Sequence, residues 1–358
     1  MPTDPTPTKP ILKSLRRPDV QTTVVAVGSV RFGDGSYPVV AGPVAVESED
    51  QLMAVATAVM KSGASMLRAG TFRAEESPYG FKGLGEEAIW LLEHAGRQTG
   101  LATVTEVLDS AHLDLIADHV DMLEVGPENM QNFTLLRDVG RSGKPIILTR
   151  GPSATVDELL MAAEYILAED NPNLVLCERG SRGFDPRTTD TVDITAIPAI
   201  QQLSHLPVII HPAPAKGGID LMEPLAMAGR GAGADGLIVS VHPDPANALA
   251  GNGSQMTVKG FTVLMDRLGI PAMRDEIDRL DREIIKLLKR RLHSSVGIAH
   301  IKVARGLALR SPDREAELLD EAADDAVELG IDPAYVRAIM EVVLEYSRSA
   351  QERAVGAT

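Results

Sequence analysis

The sequence predicts an α/β protein, a (β/α)8 barrel followed by a small all-α domain of three helices that dimerises. Three observations carry this. Between about Tyr37 and Leu268, short apolar runs, polar turns and amphipathic helical patterns recur in strict alternation, eight strands in all. Past Gly269 the strand signals stop and apolar residues recur only at helical spacing. Start and stop signals at Ser311-Pro312, Gly330 and Asp332-Pro333 then divide that tail into three helices.

In chain order, Pro2, Pro5, Pro7, Pro10 and Pro18 mark residues 1–20 as a disordered arm. Val24 to Val40, broken at Gly33-Asp34-Gly35, reads as a hairpin opening the barrel domain, which spans 21–269. The strand candidates are Pro38 to Ala41, Ser65 to Ala69, Ala102 to Thr105, Met122 to Val125, Ile146 to Thr149, Leu174 to Cys177, Val208 to Ile210 and Leu237 to Val241. A closed barrel is the first reading of this alternation and an open doubly wound sheet the second. In a barrel, chemistry collects at the C-terminal ends of the strands. The remaining residues, 270–358, begin with a helix from about Arg274 to Arg305, striped by Ile277, Leu280, Ile284, Leu287 and Leu288. It would be roughly 45 Å long at 1.5 Å per residue, too long for two shorter helices to cover, so a second copy of the chain is its natural cover.

With 358 residues and 44% hydrophobic content, the chain can bury one large core and one small one. A net charge of −15 argues against nucleic acid and anionic membrane surfaces as partners. The single cysteine, Cys177, excludes an internal disulfide and fits a reducing, cytoplasmic setting. There is no signal peptide pattern and no apolar run of membrane-spanning length.

The tail places cations and polar groups deliberately. Arg291 and Lys302, 11 residues apart, fall within about 20° of one helical face, whereas Arg274 points about 100° away and would serve a different site. Ser347 and Gln351 share a face four residues apart, and Arg314 and Glu315 open the second helix. Fixed positive charges, one carboxylate and a neutral amide, without nucleophile, metal set or titrating histidine, suit a dianion rearranged by electrostatics and shape. These residues resemble the all-helical chorismate mutase family without a gap: Arg274, Arg291, Lys302, the pair Arg314 and Glu315, and the Ser-x-x-x-Gln of Ser347 and Gln351. Where some members carry Asp before the Arg-Glu pair, this chain has Ser311, expected to cap the helix and alter one polar contact. The resemblance implies conversion of chorismate to prephenate with no cofactor. It assigns Arg291, Arg314 and the partner chain's arginine equivalent to Arg274 to the carboxylates, helped by Ser347, Lys302 and Gln351 to the ether oxygen, and Glu315 to the ring hydroxyl.

The barrel turns carry a second resemblance. Ala41-Gly42-Pro43, Ser77-Pro78-Tyr79-Gly80-Phe81, Asn129-Met130-Gln131-Asn132-Phe133, Cys177-Glu178-Arg179-Gly180 and Val241-His242-Pro243-Asp244-Pro245 resemble the 3-deoxy-arabino-heptulosonate-7-phosphate (DAHP) synthases, in the branch related to octulosonate-phosphate synthases. Fusion to a helical chorismate mutase is an arrangement known in that family. The family's four metal ligands, Cys, His, Glu and Asp, are replaced by Val44, Pro214, Ser240 and Asn252, poor or impossible donors for a divalent ion. Its anion-binding turns are altered too: Lys-Pro-Arg-Thr is Arg73-Ala74-Glu75-Glu76, Ala-Arg is Pro127-Glu128, and Leu-Lys-Arg-Gly is Leu148-Thr149-Arg150-Gly151. A phosphate facing a carboxylate at about 4 Å is repelled by about 1 to 4 kcal/mol, so phosphoenolpyruvate is not expected to bind. Arg68, Glu106, Arg179 and His242 remain.

Three weaker signals are discounted. Gly229-Arg230-Gly231-Ala232-Gly233 ends a helix before a strand, the wrong side for a dinucleotide loop. His211 and His242 with Glu178 lack ligand spacing for a metal, and Cys177 lies in an apolar strand and reads as core. The sequence therefore points to a chorismate mutase carried on a catalytically degenerate DAHP synthase-like barrel that serves as scaffold or regulatory module, the alternatives being a docking platform for a genuine DAHP synthase and a bifunctional enzyme whose barrel site is remodelled or still active. Expected partners are chorismate and prephenate, and a second copy joined through the C-terminal helices, with room for a higher oligomer.

Overall fold

The computed structural model describes residues 12–16, 22–73, 79–183, 190–212, 218–270 and 273–356. The chain divides into two units, Met1–Met273 and Arg274–Thr358, a boundary a few residues beyond the one expected.

The first unit opens with a hairpin, β1 (Val25–Val27) and β2 (Val30–Phe32). Its turn is Gly28-Ser29, not the expected Gly33-Asp34-Gly35, because Val27 pairs with Val30. Gly28 takes the left-handed conformation, φ 58, that a two-residue turn favours at its first position. Gly33 has a different job: a Cβ there would lie 2.5 Å from the Thr23 carbonyl oxygen.

Eight parallel strands follow: β3 (Val39–Gly42), β4 (Met66–Arg68), β5 (Ala102–Glu106), β6 (Met122–Val125), β7 (Ile146–Thr149), β8 (Leu174–Glu178) and, after a small ribbon of β9 (Ser181–Arg182) and β10 (Asp190–Thr191), β11 (Val208–Ile210) and β12 (Leu237–His242). Ile210 opposite Leu237, with β12 also paired to β3, closes the ring, so the open-sheet reading is excluded. A short β13 (Met256–Thr257) extends β12. Helices α1 (Glu49–Lys61), α2 (Glu86–Thr99), α3 (Leu113–His119), α4 (Phe133–Arg141), α5 (Val156–Leu167), α6 (Ala196–Leu203), α7 (Met222–Gly231) and α8 (Val258–Arg267) follow the strands in turn. Several start on side-chain caps, including Ser48 on α1, Asn132 on α4 and a reciprocal Thr155–Glu158 capping box on α5.

Alternation along each strand sorts two cores. Leu67, Leu123, Leu148, Leu176 and Val239 face the helices. Val40, Met66, Val104, Met122, Ile147, Val175, Ile209 and Ile238 form the inner cluster, joined by Val25, Val27 and Phe32 of the hairpin. The hairpin thus stoppers the N-terminal end of the barrel, and the polar inward residues lie at the C-terminal end.

Part of the expected disordered arm is held in place. The backbone N–H groups of Lys13 and Ser14 donate to the Glu164 carboxylate at 3.0 and 2.6 Å, and Leu15 bridges to Ser204. Composition misleads here because 12–16 satisfies its backbone on α5 and α6 instead of on water. The rest of the arm up to residue 11, and 17–21, lies outside the described residues.

The second unit is α9 (Met273–Ala304), α10 (Pro312–Glu328) and α11 (Pro333–Gly356), each within a few residues of expectation. Asp332 caps α11 by accepting from the Ala334 N–H at 2.9 Å. Ser311 does not cap α10, contrary to expectation. Its side chain makes no hydrogen bond to the amides of the first turn. Among the described residues of this unit only Ala299, Ala326 and Ser347 are buried, while Ile285, Leu287, Val327 and Tyr346 are more than half exposed. No helix of the described residues is long and apolar enough to cross a membrane.

Candidate functional site

At the C-terminal end of the barrel the inner apolar layer gives way to charge. Arg68 follows Met66 inward and Glu124 follows Met122, and the two meet in a buried bidentate pair, Nε–Oε2 2.5 Å and Nη2–Oε1 3.1 Å. Burial works against the Arg68 charge, but Glu124 outweighs it and holds the guanidinium firmly protonated. Glu106 lies opposite Glu124 in the β5–β6 register. Burial first, then repulsion from Glu124, push its pKa up to about 7 against the pull of Arg68 and Arg73. The Glu106 carboxylate fills the space beside Gly126 where a Cβ would stand, so a larger residue there would push that carboxylate aside. Burial, then Arg68 and Arg179, keep His211 well below its usual range and therefore neutral. Burial raises the Cys177 thiol, which at 0% exposure is a core residue as expected.

At the positions aligned with the family's metal ligands, the Val44 N–H donates to Gln255 Oε1 at 2.8 Å, Ser240 is buried on β12, and Asn252 Nδ2 donates to the Ala246 carbonyl at 3.0 Å. Pro214, with Glu75 and Glu76, lies outside the described residues. No group of three or more His, Cys, Asp or Glu side chains among the described residues is placed to hold a metal. Glu178, considered with His211 and His242, is committed to Arg150 at 2.6 and 2.9 Å.

Sequence reasoning missed two carboxylates here. Glu124 orients Arg68, and Glu47 lies 3.4 Å from His242 Nε2 while accepting from the Leu249 N–H. Glu124 had a signal, a lone charge at an inward position of Met-Leu-Glu-Val; Glu47, in a loop, had none. Two motif residues turn out to be architectural: Asn132 caps α4 and Asn129 Nδ2 ties to the Leu108 carbonyl.

In the helical unit, Arg291 Nη1 donates to Ser347 Oγ at 2.7 Å, and Gln351 Nε2 donates to the carbonyl and hydroxyl of Ser295 at 3.0 and 2.8 Å. One turn of helix carries Arg291 to Ser295 and another carries Ser347 to Gln351, so α9 and α11 face each other along these polar pairs. A cavity of about 200 Å³ beside them is lined by Leu288, Arg291, Leu292, Val342, Val343, Tyr346 and Ser347. The other expected residues are not gathered here. Lys302 Nζ donates to the Leu309 carbonyl at 2.9 Å, Arg314 pairs with Glu317 at 2.8 Å, and Glu315 lies 3.7 Å from Arg310 and 3.6 Å from Arg348. Arg274 sits in the first turn of α9, its side chain outside the described residues.

The fold is a closed (β/α)8 barrel with a charged C-terminal mouth, followed by a helical unit. The chain belongs to the DAHP synthetase I family, whose model matches residues 19–268, and residues 273–352 match the chorismate mutase type II model. It is 38% identical over 248 residues to phospho-2-dehydro-3-deoxyheptonate aldolase of Thermotoga maritima, covering 69% of this chain and 73% of that protein. Identity to 2-dehydro-3-deoxyphosphooctonate aldolase of Nitrobacter hamburgensis is 27%, covering 68% and 91%. The crystal structure of the Thermotoga maritima aldolase, a DAHP synthase, superposes with a TM-score of 0.70 at 37% identity, covering 76% of this chain and 78% of that one.

Proposed function

We propose that the helical unit is a chorismate mutase and that the barrel does not condense phosphoenolpyruvate with a sugar phosphate. The observation that carries the first half is the Arg291–Ser347 pair beside Gln351, a cation, a hydroxyl and a neutral amide on facing helices. The rearrangement breaks one C–O bond and forms one C–C bond within a single molecule, so it asks for no proton transfer, only for a held conformation and donors at the ether oxygen. Arg291 and Arg314, with Arg274 from a second copy, hold the carboxylates and Ser347 assists. Lys302 and Gln351 donate to the ether oxygen as negative charge grows there, and Glu315 fixes the hydroxyl. Lys302 and Arg314 must leave their present partners to do so. Arg314 gives up only exposed ion pairs with Glu317 and Glu321, which solvent screens.

The second half rests on the residues at the barrel mouth: Val44, Ser240 and Asn252 at ligand positions, and Glu128 and Thr149 where relatives carry cations. The alternative, a bifunctional enzyme, is favoured by the 38% identity to the Thermotoga maritima aldolase. Phosphate release from phosphoenolpyruvate and erythrose 4-phosphate, with and without manganese, separates the two readings. As scaffold or regulatory module the barrel would support the mutase or dock a genuine synthase. Cutting the chain near Gly269 tests the support role: equal activity and equal dimerisation of the fragment would remove it.

The exposed apolar surface of the helical unit supports a homodimer through these helices, since among its described residues only Ala299, Ala326 and Ser347 are buried.

A further inference from the structure

The barrel mouth holds a carboxylate pair that the family's reaction does not call for. Glu106 at the end of β5 and Glu128 after β6 converge on Gly126: the point where a Cβ would stand is filled by the Glu106 carboxylate and lies 3.5 Å from Glu128 Oε2. Glu124 nearby is neutralised by Arg68, but neither Glu106 nor Glu128 is held by a hydrogen bond or ion pair among the described residues. Independently, a side chain aimed into the same end of the barrel carries a buried polar atom without a partner among the described residues: His211 Nδ1, in a residue 5% exposed that follows Ile209 inward. Buried polar atoms are ordinarily satisfied, so this polar lining is built for an occupant. Two carboxylates without a hydrogen bond or ion pair among the described residues favour a cationic group in that lining.

We propose that the barrel mouth binds a small molecule bearing a primary ammonium group, seated between Glu106 and Glu128. This rests on the reading that the barrel no longer handles phosphoenolpyruvate. An ammonium has three N–H donors, enough for both carboxylates. Burial first, then Glu124, raise the Glu106 pKa to about 7 against the pull of Arg68 and Arg73, and an ammonium binds the ionised carboxylate best, so binding strengthens from pH 6 to pH 8.

The test uses the full chain and ligand-observed NMR with propylammonium, L-alanine, 1-propanol and phosphoenolpyruvate as probes. Propylammonium or L-alanine binds and 1-propanol does not; L-alanine the tighter identifies an amino acid as the source, propylammonium the tighter or equal a simple amine. Glu128→Gln weakens binding about 10-fold or more, and Glu128→Arg abolishes it, with unchanged melting because Glu128 is exposed. Failure of both amines to bind, or binding unaltered in Glu128→Gln, overturns the proposal. Binding of phosphoenolpyruvate instead overturns the reading of the barrel on which it rests, a separate outcome.

Discussion

Glu106 sits where burial and a neighbouring carboxylate both oppose its charge. Its ordinary value of 4.5 is raised to about 7 in the fold, so below about 4.5 its contribution to stability is fully present and it is lost as pH rises through about 7. Glutamine imitates the protonated form. Thermal melts of wild type and Glu106→Gln should therefore nearly coincide at pH 4.5, with the variant the more stable by pH 8; a gap independent of pH would contradict the assignment. His211, kept neutral, biases the opposite way below its ordinary 6.5, which is why the difference between the two proteins, and not the wild-type curve alone, is the informative quantity. On the helical unit, Lys302→Ala should lower the rate of chorismate consumption about 100-fold or more, as expected for a donor aimed at developing charge. Near-normal turnover would remove Lys302 from the mechanism. Because Gln351 cannot titrate, the wild-type rate should be flat between about pH 6 and 8, and a steep gain on the acid side would speak for a carboxyl donor instead.

At the scale of elements, the Arg68–Glu124 pair clamps β4 to β6 across β5. Arg68→Met would leave a buried carboxylate uncompensated and should cost about 3 to 5 kcal/mol in denaturant unfolding; a loss under about 1 kcal/mol would mean that water reaches Glu124. The helix caps offer a sharper contrast. Thr155→Ala should cost about 1 kcal/mol, since Thr155 makes a full capping box, and Ser311→Ala much less, since its hydroxyl makes no cap bond. Equal losses would show that Ser311 caps in solution. The strands were legible within a residue or two because runs such as Ile146 to Thr149 are apolar on both faces, as a buried parallel strand must be. The hairpin turn was not, because Gly28-Ser29 and Gly33-Asp34-Gly35 carry the same turn chemistry and only packing of Gly33 against Thr23 and Pro207 separates them. Of the expected helical site, spacing put Ser347 with Gln351 on one face and Arg291 with Lys302 on another; that Arg291 meets Ser347 while Lys302 and Arg314 have other partners depends on helix packing and loop geometry that spacing does not encode.

For the whole molecule, two units with opposite degrees of internal completeness share one chain. The barrel buries a two-layer core and stoppers one end with its own hairpin. Among its described residues the helical unit leaves most large apolar side chains exposed, and on the proposed homodimer reading sedimentation of the full chain should give a dimer or higher multiple; a monomer at micromolar concentration would contradict the second-copy role of Arg274. The family model and the 38% identity establish where the barrel comes from, and the residues at its mouth motivate the proposal that its chemistry has changed. The most direct test is one preparation of the full chain assayed in parallel for chorismate consumption and for manganese-dependent phosphate release from phosphoenolpyruvate and erythrose 4-phosphate. The account predicts chorismate consumed and no phosphate released. Metal-dependent phosphate release, or chorismate left unchanged, would contradict it.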